Sequence, residues 1–219
     1  MKKTYKAKYI TFEQFESFRK GKKLKGDFPT DKWVTAEVLH ASLSRLTYTT
    51  SDDAGNLFAT YDTFLHPSSK LTIYARVLEG WEDKLHSLIG DLAKIGYGRD
   101  ASVGLGAFTP ESFEPFDAFS TGGDENGFMA LSSFCPAKDD PTDGYYKIEA
   151  KYGKVNFEPY SSQNPFKKPI LHQVLAGAVF RTNGTTKQVY GRVVENVAPG
   201  FSSAVQLCYC MPVPVRVLL

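Results

Sequence analysis

Four glycines fall within eleven residues of the sequence, and this stretch constrains the fold more than any other. The residues 80–95 before it have the apolar periodicity of a helix, and the residues 107–116 after it have the pattern of a strand. Glycine is selected where the backbone needs a positive φ or where another molecule must approach it closely. A loop that exposes several amides together also suits a phosphate. The loop, called the glycine loop below, contains Gly96, Tyr97, Gly98, Arg99, Ser102, Gly104 and Gly106.

Known phosphate motifs do not fit this loop. Residues 96–101 match G-x-G-x-x-A, but the dinucleotide fingerprint must follow a strand and open a helix, and the order here is reversed. No Gly-Lys-Ser/Thr ends the run, which excludes a P-loop. Two interpretations remain: a loop that wraps a nucleic-acid backbone while Arg99 makes a bidentate phosphate contact, or a structural turn that needs glycine for close packing.

The first half of the chain predicts a ferredoxin-like fold. Thr11 and Gln14 form a capping box, and Gly21 is placed to end the helix that they begin. With strands over 4–10, 34–49, 57–65 and 71–78, the order is β-α-β-β-β-α, followed by the glycine loop and a strand. We therefore expect an α+β protein with an antiparallel sheet covered by two helices. The exposed sheet face of such folds is where RNA-recognition proteins hold their ligand.

The second half predicts a β-rich region. We place one domain over residues 1–116 and a second, packed on it, over residues 117–219. Residues 211–214, with two prolines, are predicted to stop the last strand. The strands are predicted over 128–134, 145–150, 154–160, 174–181, 188–194 and 204–211.

Charge is spread unevenly along the 219 residues, although the formal net charge is only +2. Residues 1–25 carry nine Lys or Arg and two Glu, and residues 111–143 carry eight Asp or Glu and one Lys. Lysines with tyrosines between them, Lys6 and Lys8 among them, are typical of single-stranded RNA binding. The alternative to a binding role is that the basic and acidic segments form two solvated faces of the protein whose charges cancel.

Targeting and redox signals are absent from the sequence. There is no run of about 18 apolar residues and no signal peptide, and the three cysteines form no disulfide framework, so we expect a cytoplasmic protein without a membrane partner. No metal-ligand spacing, cofactor motif or catalytic set is found. Cys208 and Cys210 are expected as small buried side chains, and the pair Asp139 and Asp140 as solvated turn residues.

His40 and Arg45 are expected on a ligand-facing strand surface. His40 could in principle act as a base that cleaves RNA through the 2′-hydroxyl. The alternative is a histidine that has no catalytic role and lies on a polar or ligand-facing strand surface.

Residues 95–108 resemble the glycine-rich loop of the CRISPR-associated RAMP superfamily, and more narrowly the type III form of the fifth Cas family. Residues 6–15 resemble the strand-helix entry of that family's later region, and residues 39–45, the turn 53–55 and residues 57–59 resemble the hairpin before its loop helix. Residues 128–134 and 175–180 resemble its two late strands. The resemblance implies a non-enzymatic subunit that holds the 5′ handle of CRISPR RNA, caps a filament of backbone subunits and docks the large subunit or a nuclease. It also implies that Gly96, Gly98, Arg99, Ser102, Gly104 and Gly106 contact handle phosphates.

Family members usually place an earlier ferredoxin-like unit before the region with which this sequence begins. We therefore expect a compact form from a minimal system, such as type III-D or type VII, or a missing half supplied by another chain. Two other functions stay open. One is a metal-independent ribonuclease of the same superfamily that processes CRISPR RNA and uses His40, and the other is an assembly subunit without RNA contact.

Overall fold

The structure is a computed structural model, and the residues that it describes form two α-helices and a set of antiparallel strands. It describes residues 9–30, 33–43, 46–47, 49, 57–98, 100–117, 119, 123–151, 171–184, 186–197 and 204–218. Its helices are α1 (Phe12–Arg19) and α2 (Glu82–Ile95). Its strands are β1 (Trp33–Ala41), β2 (Leu57–Leu65), β3 (Gly127–Ala130), β4 (Gly144–Tyr145), β5 (Ile148–Lys151), β6 (Leu171–Val174), β7 (Val179–Arg181), β8 (Tyr190–Val194), β9 (Gln206–Cys210) and β10 (Pro212–Val215). None of the described helices combines the length and the apolar character that a membrane span requires.

The chain divides into two compact units. The core unit contains Met1–Pro29 and Asp117–Leu219, and the hairpin unit contains Thr30–Phe116. The division based on sequence instead placed the first 29 residues with the hairpin unit. They lie with the second half because the Arg216 amide donates to the Arg19 carbonyl at 2.7 Å and Gly21 packs against Leu218.

Helix α1 begins and ends as its sequence predicts. The Thr11 hydroxyl accepts from the Gln14 amide, and the Gln14 side chain accepts from the Thr11 amide, which completes the capping box. At the other end Gly21 has a φ of 72°. Its amide donates to Phe18 and the Lys22 amide donates to Ser17, the two bonds of a Schellman motif.

A four-stranded antiparallel sheet in the order β10-β3-β7-β4 forms the centre of the core unit. Phe128 on β3 is fully buried and stacks on Tyr190 with ring centroids 3.9 Å apart and on Phe180 at 5.4 Å. Phe134 packs edge-on against Phe180 with ring centroids 6.0 Å apart. Burying aromatic side chains of this size stabilises a fold by several kcal/mol each, at roughly 25 cal/mol per Å² of apolar area.

The expectation that residues 211–214 stop the last strand is only partly met, because β9 ends at Cys210 but a further strand, β10, follows directly. Pro212 and Pro214 lie inside β10, which pairs with β3 at the edge of the sheet. The Met211 carbonyl accepts from the Leu131 amide and the Val215 carbonyl accepts from the Asn126 amide, one on each side of β3. Because alternate residues of a strand point their backbone groups to opposite sides, the nitrogens of Pro212 and Pro214 face away from β3. An edge strand tolerates proline when the missing N–H would point outward.

The hairpin unit contains β1 and β2, paired in antiparallel register from Trp33 with Leu65 to Ala41 with Leu57, and helix α2. The strands predicted over 71–78 and 107–116 are wrong, because neither segment has a strand ladder in the described structure. Their side chains instead pack on each other and on α2: Tyr74 lies 4.7 Å from Phe116 and His86 lies 3.9 Å from Phe113, centroid to centroid. The α+β, largely antiparallel character is confirmed, and the ferredoxin-like arrangement is not.

Two further predicted strands fall on residues that the structure largely leaves undescribed. Most of the strand predicted over 4–10 and all of the strand predicted over 154–160 lie outside the described residues.

Candidate functional site

The glycine loop begins where helix α2 ends, and all four of its glycines have a positive φ. The Gly96 amide still donates to the Leu92 carbonyl, and the chain then leaves the helix with a φ of 94° at Gly96. Gly98, Gly104 and Gly106 have φ values of 129°, 89° and 77°. Residues with a Cβ rarely adopt these angles, so the sequence is glycine-rich because this backbone path requires it.

The outer two glycines close the base of the loop. The Tyr97 amide donates to the Gly106 carbonyl at 2.9 Å. A Cβ at Gly106 would overlap the Tyr97 carbonyl, and a Cβ at Gly96 would lie 2.5 Å from the Leu105 carbonyl oxygen. Gly96 and Gly106 therefore serve the close approach of two backbone segments, which is the structural role that the sequence left open.

The inner two glycines lie at an open tip. No atom of the described residues lies within 4 Å of a Cβ placed at Gly98 or at Gly104. A short 3₁₀ turn, Ala101–Val103, joins them. Beside this tip the Tyr97 side chain is 76% exposed. The tip thus offers an open backbone and an exposed aromatic ring to another molecule.

The expectation that several loop amides are available together is only partly met. The amides of Val103 and Leu105 donate to the Asp100 carbonyl, and the Gly104 amide donates to Ala101. The Gly98 amide has no hydrogen-bond partner among the described residues. The Gly106 amide likewise has no hydrogen-bond partner among the described residues, so the amides of Gly98 and Gly106 and the side chains are left for phosphate contacts.

Several predicted site residues cannot be placed. Lys6, Lys8, Arg45 and Arg99 lie outside the described residues, and for Ser102 only the backbone position in the 3₁₀ turn is described.

His40 is half-buried on β1 and makes its contacts within the hairpin. Its ring stacks on Phe58 with centroids 5.2 Å apart and an interplanar angle of 16°. Its Nε2 lies 2.9 Å from the Thr60 hydroxyl. These neighbours on β2 give His40 a packing and hydrogen-bonding role in the hairpin.

A polar cluster in the core unit was missed in the sequence. Asp140 is buried, with 3% of its side chain exposed, so the expectation that it is solvated is wrong. Its Oδ2 accepts from the amides of Ala137 at 2.9 Å and Gly191 at 2.8 Å, and Lys187 lies 3.4 Å from its Oδ1. The Lys187 ammonium also binds Asp139 at 2.7 Å, which lowers the pKa of Asp139, chiefly through that hydrogen bond. The partners of Asp140 at Lys187 and Gly191 lie about fifty residues away in the sequence, so the residues around Asp140 do not indicate them.

All three cysteines are buried, as expected for Cys208 and Cys210. Burial raises the pKa of Cys210 to about 12, so its thiol stays protonated at neutral pH. Cys135 donates to the His172 carbonyl at a distance of 3.3 Å. Among the residues that the structure describes, no group of three or more His, Cys, Asp or Glu could hold a metal ion.

Comparison with known proteins adds no identification. No protein-family model matches the chain, and a search of curated proteins finds no significant match.

Proposed function

We propose that this chain is a non-catalytic RNA-binding subunit of a type III-like CRISPR effector complex, whose glycine loop holds the 5′ handle of the CRISPR RNA. The observation that carries the proposal is the tip of the loop. Positive-φ glycines and open space at positions 98 and 104 lie beside the exposed ring of Tyr97. Recognition of unpaired RNA combines backbone contacts with bases stacked on aromatic rings, and this tip offers both.

In this proposal the residues of the loop have different roles. Gly96 and Gly106 lock the base, so the tip is held in one shape before RNA arrives, and less ordering is needed on binding. Gly98 and Gly104 let the phosphate backbone approach, Tyr97 stacks on a handle base, and Arg99 neutralises a phosphate. In this proposal the partners are the backbone subunits of the filament and a large subunit or nuclease, in a system such as type III-D or type VII.

The test is a titration of a short repeat-derived handle RNA, and of the same RNA with its sequence scrambled, against the assembled complex. The variant is Tyr97→Ala, which removes an exposed ring and leaves the backbone bond to Gly106 in place. Base–aromatic stacking contributes about 1–3 kcal/mol per base, so we expect the affinity for the handle to fall on the order of tenfold. Arg99→Ala combined with Gly104→Val should abolish the preference for the handle.

Tyr145→Ala is the matched control, because Tyr145 is 69% exposed but lies on β4 in the core unit. It should bind the handle like the unaltered chain. Equal, weak binding of both RNAs by the unaltered complex would overturn the proposal and favour an assembly subunit without RNA contact.

A further inference from the structure

A second basic surface lies in the core unit, beside helix α1. The loop that follows the helix and one side of the helix enclose an open groove of about 550 Å³. Lys22, Lys23 and Lys25 line it from the loop, and Gln14 and Ser17 line it from the helix. We call this surface, together with the adjacent Lys20, the lysine groove.

The loop of the lysine groove is fixed at both ends. At its start the Schellman motif at Gly21 joins it to α1, and Gly21 packs on Leu218. At its end the Gln14 side-chain amide donates to the carbonyls of Lys25 at 3.0 Å and Asp27 at 3.1 Å. Gln14 therefore caps the helix with its oxygen and clamps the loop with its nitrogen. The lysines project from a backbone that is already ordered.

The charges of the groove are not compensated within the described structure. Lys20, Lys22, Lys23 and Lys25 are all exposed, and none forms an ion pair with a described carboxylate. Among the described residues that line the groove, Glu13 is acidic and three are lysines. Three ammonium groups against one carboxylate leave a positive field that attracts a polyanion.

We propose that the lysine groove binds the phosphodiester backbone of RNA, as a contact separate from the glycine loop. The inference rests on the proposed function, because that function supplies RNA as the polyanion. Lysines on an ordered loop act as point charges toward phosphates without reading bases. The lysine groove therefore adds affinity that is independent of sequence, and the glycine loop supplies the preference for the handle.

The experiment compares the salt dependence of RNA binding for the unaltered complex and for Lys22→Ala/Lys23→Ala, with handle and scrambled RNA. Each phosphate neutralised on a single strand contributes about 0.7 to the slope of log K against log salt. The slope for the double variant should be shallower by about 1.4. Between 50 and 200 mM salt the double variant should therefore lose about sevenfold less affinity than the unaltered complex. The change should be the same for both RNAs.

Lys138→Ala/Lys147→Ala is the matched control, because it removes two exposed lysines of the same unit away from the groove. It should keep the slope of the unaltered complex. If the complex binds handle RNA and both double variants keep the same slope, the lysine groove inference is overturned and the proposed function stands. If the unaltered complex binds no RNA, the lysine groove inference and the proposed function are both overturned.

Discussion

Replacing the buried Asp140 by alanine should destabilise the core unit much more than replacing its exposed neighbour Asp139. The carboxylate is buried and accepts two backbone amides that belong to separate segments, those of Ala137 and Gly191. Alanine leaves both amides without an acceptor. Each such loss costs about 1–3 kcal/mol when the donor is shielded from water.

The contact with Lys187 adds little to this cost, because Lys187 keeps Asp139 at 2.7 Å and 45% of its side chain is exposed. Both amides belong to half-buried residues, so water recovers part of the loss. We therefore expect Asp140→Ala to lower the free energy of unfolding by about 2–4 kcal/mol. Asp140→Asn should cost about half as much, because both amides bond to the same oxygen and one amide oxygen can accept them.

Urea unfolding followed by far-ultraviolet circular dichroism measures these differences, and hydrogen exchange of the Gly191 amide localises them. Tryptophan fluorescence is unsuitable, since both tryptophans, Trp33 and Trp81, lie in the hairpin unit. Asp139→Ala is the matched control: its carboxylate is 76% exposed and binds the same lysine, so it should cost less than about 1 kcal/mol. Equal destabilisation by Asp139→Ala and Asp140→Ala would refute the reasoning.

Three further outcomes follow from the glycine and cysteine positions. Gly106→Ala should open the base of the loop and speed hydrogen exchange at the Tyr97 amide. Gly104→Ala should add only left-handed strain of about 1–2 kcal/mol and leave the Tyr97 amide protected. Equal exchange rates at Tyr97 in both variants would contradict this expectation. Cys210 should react with an alkylating reagent at pH 8 only after unfolding, and rapid labelling of the folded chain would show that the thiol is accessible. Folding raises the pKa of Cys210 from 9.0 to about 12, so the thiol ionises in the unfolded chain at a lower pH than in the folded chain. The contribution of Cys210 to stability is therefore full below pH 9 and is lost as the pH rises from 9 to 12. A pH titration of the unfolding midpoint, with Cys210→Ala as the reference, measures this loss.

Local signals in the sequence predicted local structure well. The capping box at Thr11 and Gln14 and the glycine at position 21 mark the ends of α1, because caps depend on contacts within a few residues. The predicted strand 57–65 coincides with β2, and the helix predicted over 80–95 differs from α2 by two residues at its start. The positive φ of all four loop glycines fits the reason for which they were singled out.

The predictions that are wrong depend on contacts between residues that are distant in the sequence. Residues 71–78 have strand composition, yet Tyr74 packs on Phe116 and no backbone partner is present in the described structure. Proline is typical of a strand end, but Pro214 lies within β10 because β10 is at the edge of its sheet. Asp140 reads as a solvated turn residue until its partner at Gly191 is known. Edge position and distant partners are properties of the fold, and local composition does not encode them.

The most direct measurement of the central claim is the position of RNA crosslinks on the chain. Ultraviolet crosslinking of the assembled complex with handle RNA, read by mass spectrometry of the peptides, needs no variant and no assumption about folding. The account predicts crosslinks within residues 96–106, with Tyr97 foremost because its ring is exposed at the tip of the loop. Crosslinks confined to other parts of the chain, with none in residues 96–106, would contradict it.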